Sequence, residues 1–201
     1  MPTVPVKGGL AQPKQNNMTL KEIYQRLKEG NQIFLLSKQN QGDVSPEIRK
    51  ETALHGQHPF ATVICCSDSR VIPEDIFNVG IGELFVIRVA GNVASPSVLG
   101  SIEYAIHHLH TPLVLVLGHT HCGAVDAAIH HQKEGYVGEL TKPIMEEIGN
   151  EQDEREASIL NAIGQVDVIQ EKLDCDGVDV VAALYDIETG EVQFLDENNP
   201  F

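Results

Sequence analysis

The chain contains no tryptophan, few aromatic residues of any kind and only four cysteines among its 201 positions. It also lacks any apolar run of the roughly eighteen residues that would make a membrane-spanning helix, so no bilayer span is expected. Basic residues are scarce as well. Lys and Arg number 14 against 29 Asp and Glu, a formal charge of -15, which repels phosphate backbones and anionic headgroups and excludes nucleic acid and membrane surfaces as partners. Phosphate-cradling loops are missing: there is neither a G-x-G-x-x-G nor a P-loop, and Gly80-Ile81-Gly82 lacks the third glycine and the following helix. Residues 1–17, with Pro2, Pro5, Pro13, Lys7 and Lys14, offer no apolar segment for a signal-peptide core. A cytoplasmic location follows, where thiols stay reduced. In that setting Cys65, Cys66, Cys122 and Cys175 point to metal binding, redox chemistry or plain burial ahead of disulfides.

What is present is ordinary globular material, 42% hydrophobic, and the length suits one domain. Residues 1–18 read as a flexible N-terminal arm and 19–201 as a single α/β domain. Thr19 begins a helix, with Glu22 completing a capping box and Leu20, Ile23, Tyr24 and Leu27 on one face. Ser45-Pro46-Glu47 caps a second helix towards His55. Short apolar, β-branched runs follow at Phe60 to Cys66, Leu84 to Val89 and Leu113 to Gly118. Helical stretches separate them, including Ser97 to Leu109, and Gly123 to His131 follows the third. This alternation implies a mostly parallel central sheet flanked by helices on both faces. Residues 138–176 read as amphipathic helices, with Ile159, Leu160, Ile163, Val166, Ile169 and Leu173 as the apolar face and the acidic residues in water. Val178 to Tyr185 is a further strand, which Glu188-Thr189-Gly190 turns into Val192 to Leu195 as an edge hairpin.

Two clusters stand where buried strands end, which is where ligands collect on open α/β sheets. They are Cys66-Ser67-Asp68-Ser69-Arg70 and His119-Thr120-His121-Cys122-Gly123. Adjacent parallel strands would bring them together, and Cys66, His119 and Cys122 then offer two thiolates and an imidazole. That is a zinc set with its fourth tetrahedral position open, as catalysis requires. Taken singly, each residue has a plainer reading. A cysteine at a strand end is usually a small buried hydrophobe, and Asp68 with Arg70 could be a surface salt bridge worth under ~1 kcal/mol. Two residues apart and two beyond a candidate ligand, Asp68 and Arg70 could instead form a bidentate pair that holds the carboxylate ionised beside the metal. Cys65 and His121 neighbour ligands and should point away from them. His107, His108, His110, His130 and His131 read as surface groups, one of which could relay protons. Cys175 has no visible partner.

These motifs closely resemble those of the β-class carbonic anhydrases. The matching stretches are Cys66 to Glu74, Leu84 to Asn92, Ser101 to Ala105 and Gly118 to Ala124, and the paired C-x-D-S-R and H-x-x-C motifs are specific in order and spacing. The resemblance implies one zinc per chain on Cys66, His119 and Cys122, and a catalytic Asp68–Arg70 dyad. It also implies a substrate pocket lined by Gln57, Phe85, Ala90, Tyr104 and Gly123. The implied reaction is reversible hydration of carbon dioxide to bicarbonate and a proton by hydroxide generated at the metal. If the dyad opens, Asp68 becomes a fourth ligand and shuts the site. In the family Gln57, Phe85 and Tyr104 would come from a neighbouring subunit, which implies a homodimer or higher oligomer with its active site at the interface and the N-terminal helix wrapping the partner. Two departures stand out. Ala90 replaces a frequent Val and would enlarge the pocket. Val63 stands where some bacterial members carry a Trp of a regulatory bicarbonate site, so that form of inhibition is not expected.

Two other readings keep the same zinc ligands: a hydrolase of carbonyl sulfide or carbon disulfide, which are linear relatives of CO2, and a catalytically inactive zinc-binding scaffold. Retention of Asp68 and Arg70 weighs against the scaffold.

Overall fold

Helix starts are set by local chemistry. In the computed structural model, which describes residues 18–195, helix α1 (Leu20–Leu36) opens with the expected capping box. Thr19 accepts from the Glu22 N–H, and the Glu22 carboxylate accepts from the Thr19 N–H. Ile23, Tyr24 and Leu27 are buried as its spacing predicts. Helix α2 (Pro46–His55) has Ser45 as its cap and Pro46 in the first turn, yet buries none of its residues. The expected arm, residues 1–18, falls outside the described residues apart from Met18.

The remaining elements are β1 (Ala61–Cys65), α3 (Pro73–Ile76), β2 (Leu84–Arg88), a 3-10 turn at Ala90–Asn92, α4 (Pro96–Leu109), β3 (Leu113–His119), α5 (Gly123–Ile129), α6 (Gly135–Ile148), α7 (Glu154–Lys172), β4 (Asp179–Tyr185) and β5 (Val192–Phe194). The strands lie in the order β2-β1-β3-β4-β5. The first four are parallel, and β5 returns antiparallel to β4 as the expected edge hairpin. Burial alternates with strand period. Val63, Cys65, Leu113, Leu115, Leu117, Val181 and Ala183 face α1 and α3. Ile64, Val114, Val116, Val180 and Ala182 pack with residues of α4 and α7 on the other side. After β1 the chain steps to one side to make β2, then crosses back to make β3 on the other. The strand order therefore reverses at β1, and the loops leaving the carboxyl ends of β1 and β3 diverge around a crevice.

Two expectations need correction. The segment between β1 and β2 holds only the four-residue α3, which is too short to bury a helical face and serves to turn the chain. The 138–176 region is helical as expected, α6 starting earlier at Gly135 and then α7, but α7 buries only part of the expected aliphatic face: Ile169 is buried, and Val166 and Leu173 pack partly against the core. Leu160 and Ile163 are exposed, while Ala157, Ser158, Asn161, Ala162, Gly164, Gln165 and Ile169 are buried. The cause is close packing. A Cβ on Gly118 would lie 3.1 Å from Ala162 Cβ and 3.2 Å from the Ser158 carbonyl, so α7 rides against β3 at a distance only small residues allow.

Candidate metal centre

The crevice holds Cys66, just past β1, His119, the last residue of β3, and Cys122, just ahead of α5. All three are buried, and their ligand atoms lie within 4.8 Å of one another. A tetrahedral zinc site with its usual bond lengths has ligand-to-ligand edges of about 3.3–3.8 Å, so the set fits with little movement. The imidazole is already oriented. His119 Nδ1 lies 2.8 Å from the Thr120 carbonyl. A carbonyl only accepts, so Nδ1 carries the proton and Nε2 keeps its lone pair, buried and without a partner. An unpartnered basic nitrogen between two thiols is the arrangement a soft divalent cation completes.

The thiols are prepared unequally. Hydrogen bonds, first from Cys122 and then from the Gly91 and Asp68 N–H groups, outweigh burial and draw the Cys66 thiol well below its ordinary range. Gly91 N and Asp68 N each lie 3.4 Å from Cys66 Sγ. Cys122, which supplies the proton in the thiol pair, is raised by that bond and by burial, against N–H groups of Val125 and Ala124 at the start of α5. Cys65 points into the opposite core, as expected, and burial pushes its thiol up to about 12.

Beside the cluster, the Arg70 guanidinium grips Asp68 at two points, Nε to Oδ1 at 2.9 Å and Nη2 to Oδ2 at 2.7 Å. The Arg70 N–H adds a third bond of 2.9 Å. The fork holds the Asp68 carboxyl far below the usual carboxylate range, the side-chain hydrogen bond being the largest cause. Arg70 also donates to the His121 carbonyl at 3.0 Å, tying the two loops together. The His121 ring turns outward to Glu154, 3.3 Å away. Arg88 at the end of β2 caps the carbonyls of Cys66 and Asp68 from behind. His107, His108, His110, His130 and His131 are exposed, as expected.

Of the pocket residues, Gly123 is exposed immediately after Cys122, and Ala90 precedes the Gly91 N–H that meets Cys66. The others lie elsewhere. Phe85 is in register with Thr62, four residues before Cys66 along β1, a rise of about 13 Å. Tyr104 packs against Phe85 with ring centroids 6.1 Å apart and stacks on His108. Gln57 is exposed in the loop entering β1, at the opposite end of the strand from Cys66. Sequence reasoning missed Asn161 and Gln165, which hold the turn carrying Gly91. Asn161 donates to the Gly91 carbonyl at 3.0 Å, and Gln165 accepts from the Ala94 N–H at 2.8 Å. A buried amide on a helix is the signal that could have drawn attention to them.

A cysteine–histidine–cysteine cluster with an adjacent Asp–Arg pair, seated where a parallel sheet reverses its strand order, marks an α/β protein with a site able to hold a metal ion. The family model for carbonic anhydrase matches residues 61–192, and the chain belongs to that family. It is 42% identical over 126 residues to carbonic anhydrase 2 of Mycobacterium tuberculosis, a match taking in 62% of this chain but only 60% of that protein's length. Among solved structures it resembles a tetrameric β-carbonic anhydrase of Sordaria macrospora, with a TM-score of 0.63 and 27% identity over 75% of this chain and 87% of that one. A carbon disulfide hydrolase shares the fold, with a TM-score of 0.55 and 16% identity over 75% of this chain and 86% of that one.

Proposed function

We propose that the chain catalyses reversible hydration of carbon dioxide to bicarbonate and a proton, with one zinc ion held by Cys66, His119 and Cys122. The observation that carries this reading is the unpartnered Nε2 of His119, facing two thiols beside an Asp–Arg pair. Zinc bound by these groups supplies Lewis-acid activation of water, moderated by the charge of two thiolates. The chain's own residues do the rest. Asp68, kept ionised and aimed by Arg70, accepts a hydrogen bond from the attacking water. The Gly123 N–H and the Gln57 amide donate to the anion as it develops, and Ala90, Phe85 and Tyr104 give the apolar substrate a dry wall. Released from Arg70, Asp68 would turn to the metal as a fourth ligand and close the site.

Gln57, Phe85 and Tyr104 serve in this reading on a neighbouring subunit, and the protein works as a homodimer or a multiple of one. The register offset of Phe85 from Cys66 supports that, as does β2, whose outer edge pairs with no strand among the described residues and carries half-buried Phe85, Val86 and Ile87. Residues 19–201 act as one domain behind the 1–18 arm. The cytoplasm suits the chemistry, because Cys65, Cys66, Cys122 and Cys175 are all free thiols. No helix among the described residues is long and apolar enough to cross a membrane.

The test is stopped-flow CO2 hydration at about pH 7 and about pH 8.5 on zinc-loaded protein, wild type beside Asp68→Ala, with metal content measured on the same samples. Zinc-dependent turnover, faster at the higher pH and crippled in the variant, is expected. Zinc at one per chain without hydration would refute the activity and leave carbonyl sulfide and carbon disulfide as the next substrates to assay. Zinc whose fourth ligand stays Asp68 at the higher pH would mark a closed scaffold.

A further inference from the structure

The Cys66 sulfur accepts from the Gly91 N–H at 3.4 Å, and this donor sits on a residue that cannot hold itself in place. Gly91 has φ 68° and ψ 17°, a left-handed conformation. A Cβ there would lie 2.6 Å from Ile144 Cδ1 and 3.1 Å from Ala124 Cβ, so α5 and α6 leave no room for a side chain unless Ile144 gives way. Glycine is also the residue with the widest backbone freedom, and neither strand nor α-helix restrains it here. Within the turn the Asn92 N–H donates to the Val89 carbonyl at 3.0 Å, and the Gly91 carbonyl is held from outside.

That restraint comes from the buried face of α7. Asn161 and Gln165, each 1% exposed, are one helical turn apart. Gln165 Oε1 accepts from the Ala94 N–H at 2.8 Å, which leaves its NH2 group to face Asn161, 3.3 Å from Oδ1. With Oδ1 committed to Gln165, the Asn161 NH2 must be the end that meets the Gly91 carbonyl, at 3.0 Å. The backbone donor of Ala94 thus determines the orientation of both amides, and the turn is clamped at residue 91 and again at residue 94.

On the reading of Cys66, His119 and Cys122 as metal ligands, on which this rests, we infer that Asn161 is a positioning residue for the metal-bound sulfur. Oriented by Gln165, it fixes the Gly91 carbonyl and with it the turn that presents the Gly91 N–H to Cys66, and so limits how much charge that thiolate pushes onto the metal. Its action is through the backbone of Gly91, and it touches neither substrate nor metal.

Cobalt(II)-substituted protein reads this directly, because the sulfur-to-cobalt charge-transfer absorption reports the donor strength of the thiolates. Asn161→Leu keeps the side-chain shape and removes both polar ends. The full chain carrying it should bind one cobalt, with the band moved to longer wavelength and the metal lost to a competing chelator at about 10-fold lower chelator concentration or less, the usual scale for an outer-shell partner. Ser158→Ala is the control. It lies on the same buried face, and its hydroxyl has no partner, so it should leave band and affinity unmoved. If Asn161→Leu does not fold, Gln165→Met, which frees the Asn161 amide to turn, should move the band in the same direction by less. An unmoved band in the folded variant overturns the inference, and so does an equal shift in Ser158→Ala. A wild-type chain without any sulfur-to-cobalt band would overturn the metal site itself, and the inference with it.

Discussion

Replacing Gly91 by alanine should separate two costs that the structure places at one atom. The first is conformational: at φ 68° an L-residue suffers from its Cβ, a penalty of about 1–2 kcal/mol. The second is steric, since the new Cβ would stand 2.6 Å from Ile144 Cδ1 in a buried setting, and overpacking of this kind costs about 1–3 kcal/mol. Gly91→Ala should therefore lose about 2–5 kcal/mol, a large share of the stability of a domain this size. Ile144→Val removes the very carbon in the way. Alone it should cost about 0.5–1.5 kcal/mol by leaving a small void. In the double variant the void accepts the new methyl, so the combined loss should fall short of the sum by about 1 kcal/mol or more, while the conformational penalty remains. Urea unfolding of the four proteins at one fixed protein concentration, compared by midpoint at constant slope, completes the cycle. Additivity within about 0.5 kcal/mol would refute the steric half of the reasoning. A fully rescued double variant would refute the conformational half.

Glu147 is held above its ordinary value of 4.5 by burial, then by Asp167 and Glu146. A raised folded-state value means the folded chain binds the proton more tightly, so the group imposes no penalty below the ordinary carboxylate range and its full penalty once pH has risen through the raised value. Glu147→Gln should accordingly stabilise the protein at neutral pH by on the order of 0.5 kcal/mol, discounted for its partial exposure. The gain should fade in unfolding curves taken near pH 4, and a gain that persists there would refute the electrostatic cause. Subunit sharing of the site can be tested by mixing two inactive chains, Cys66→Ser and Tyr104→Ala with Phe85→Ala. Random reassociation as dimers leaves one intact site in each mixed pair, so activity should return to about a quarter of wild type. Activity no greater than the sum of the parents would place the whole pocket on one chain.

Legibility from sequence followed the range of the interaction. The capping box at Thr19 and the cap at Ser45 are contacts over three residues, and both were readable. The strands announced themselves because full burial on both faces demands unbroken aliphatic runs, and their ends fell within a residue or two of expectation. The face of α7 did not. Counting aliphatics favours Leu160 and Ile163, whereas the sheet required small residues opposite Gly118 and amides opposite a turn with no ladder of its own. Asn161 and Gly91 are 70 positions apart, and nothing local to either advertises the other. Pro143 inside α6 is a similar case, a residue that ordinarily ends a helix retained in one.

The same distinction separates the metal centre from the expected pocket. Cys66 and Asp68 share a loop, and His119 and Cys122 are three residues apart at the end of β3 and just beyond it. The only long-range fact needed was that β1 and β3 are neighbours, which their register provides by placing Cys65 opposite Leu117. Reversal of strand order at β1 then opens the crevice at that end of the sheet and not at the other. Phe85, Tyr104 and Gln57 sit towards the other end, so within one chain they cannot wall a substrate held near Cys66. A pocket built from them needs a second copy to carry them there.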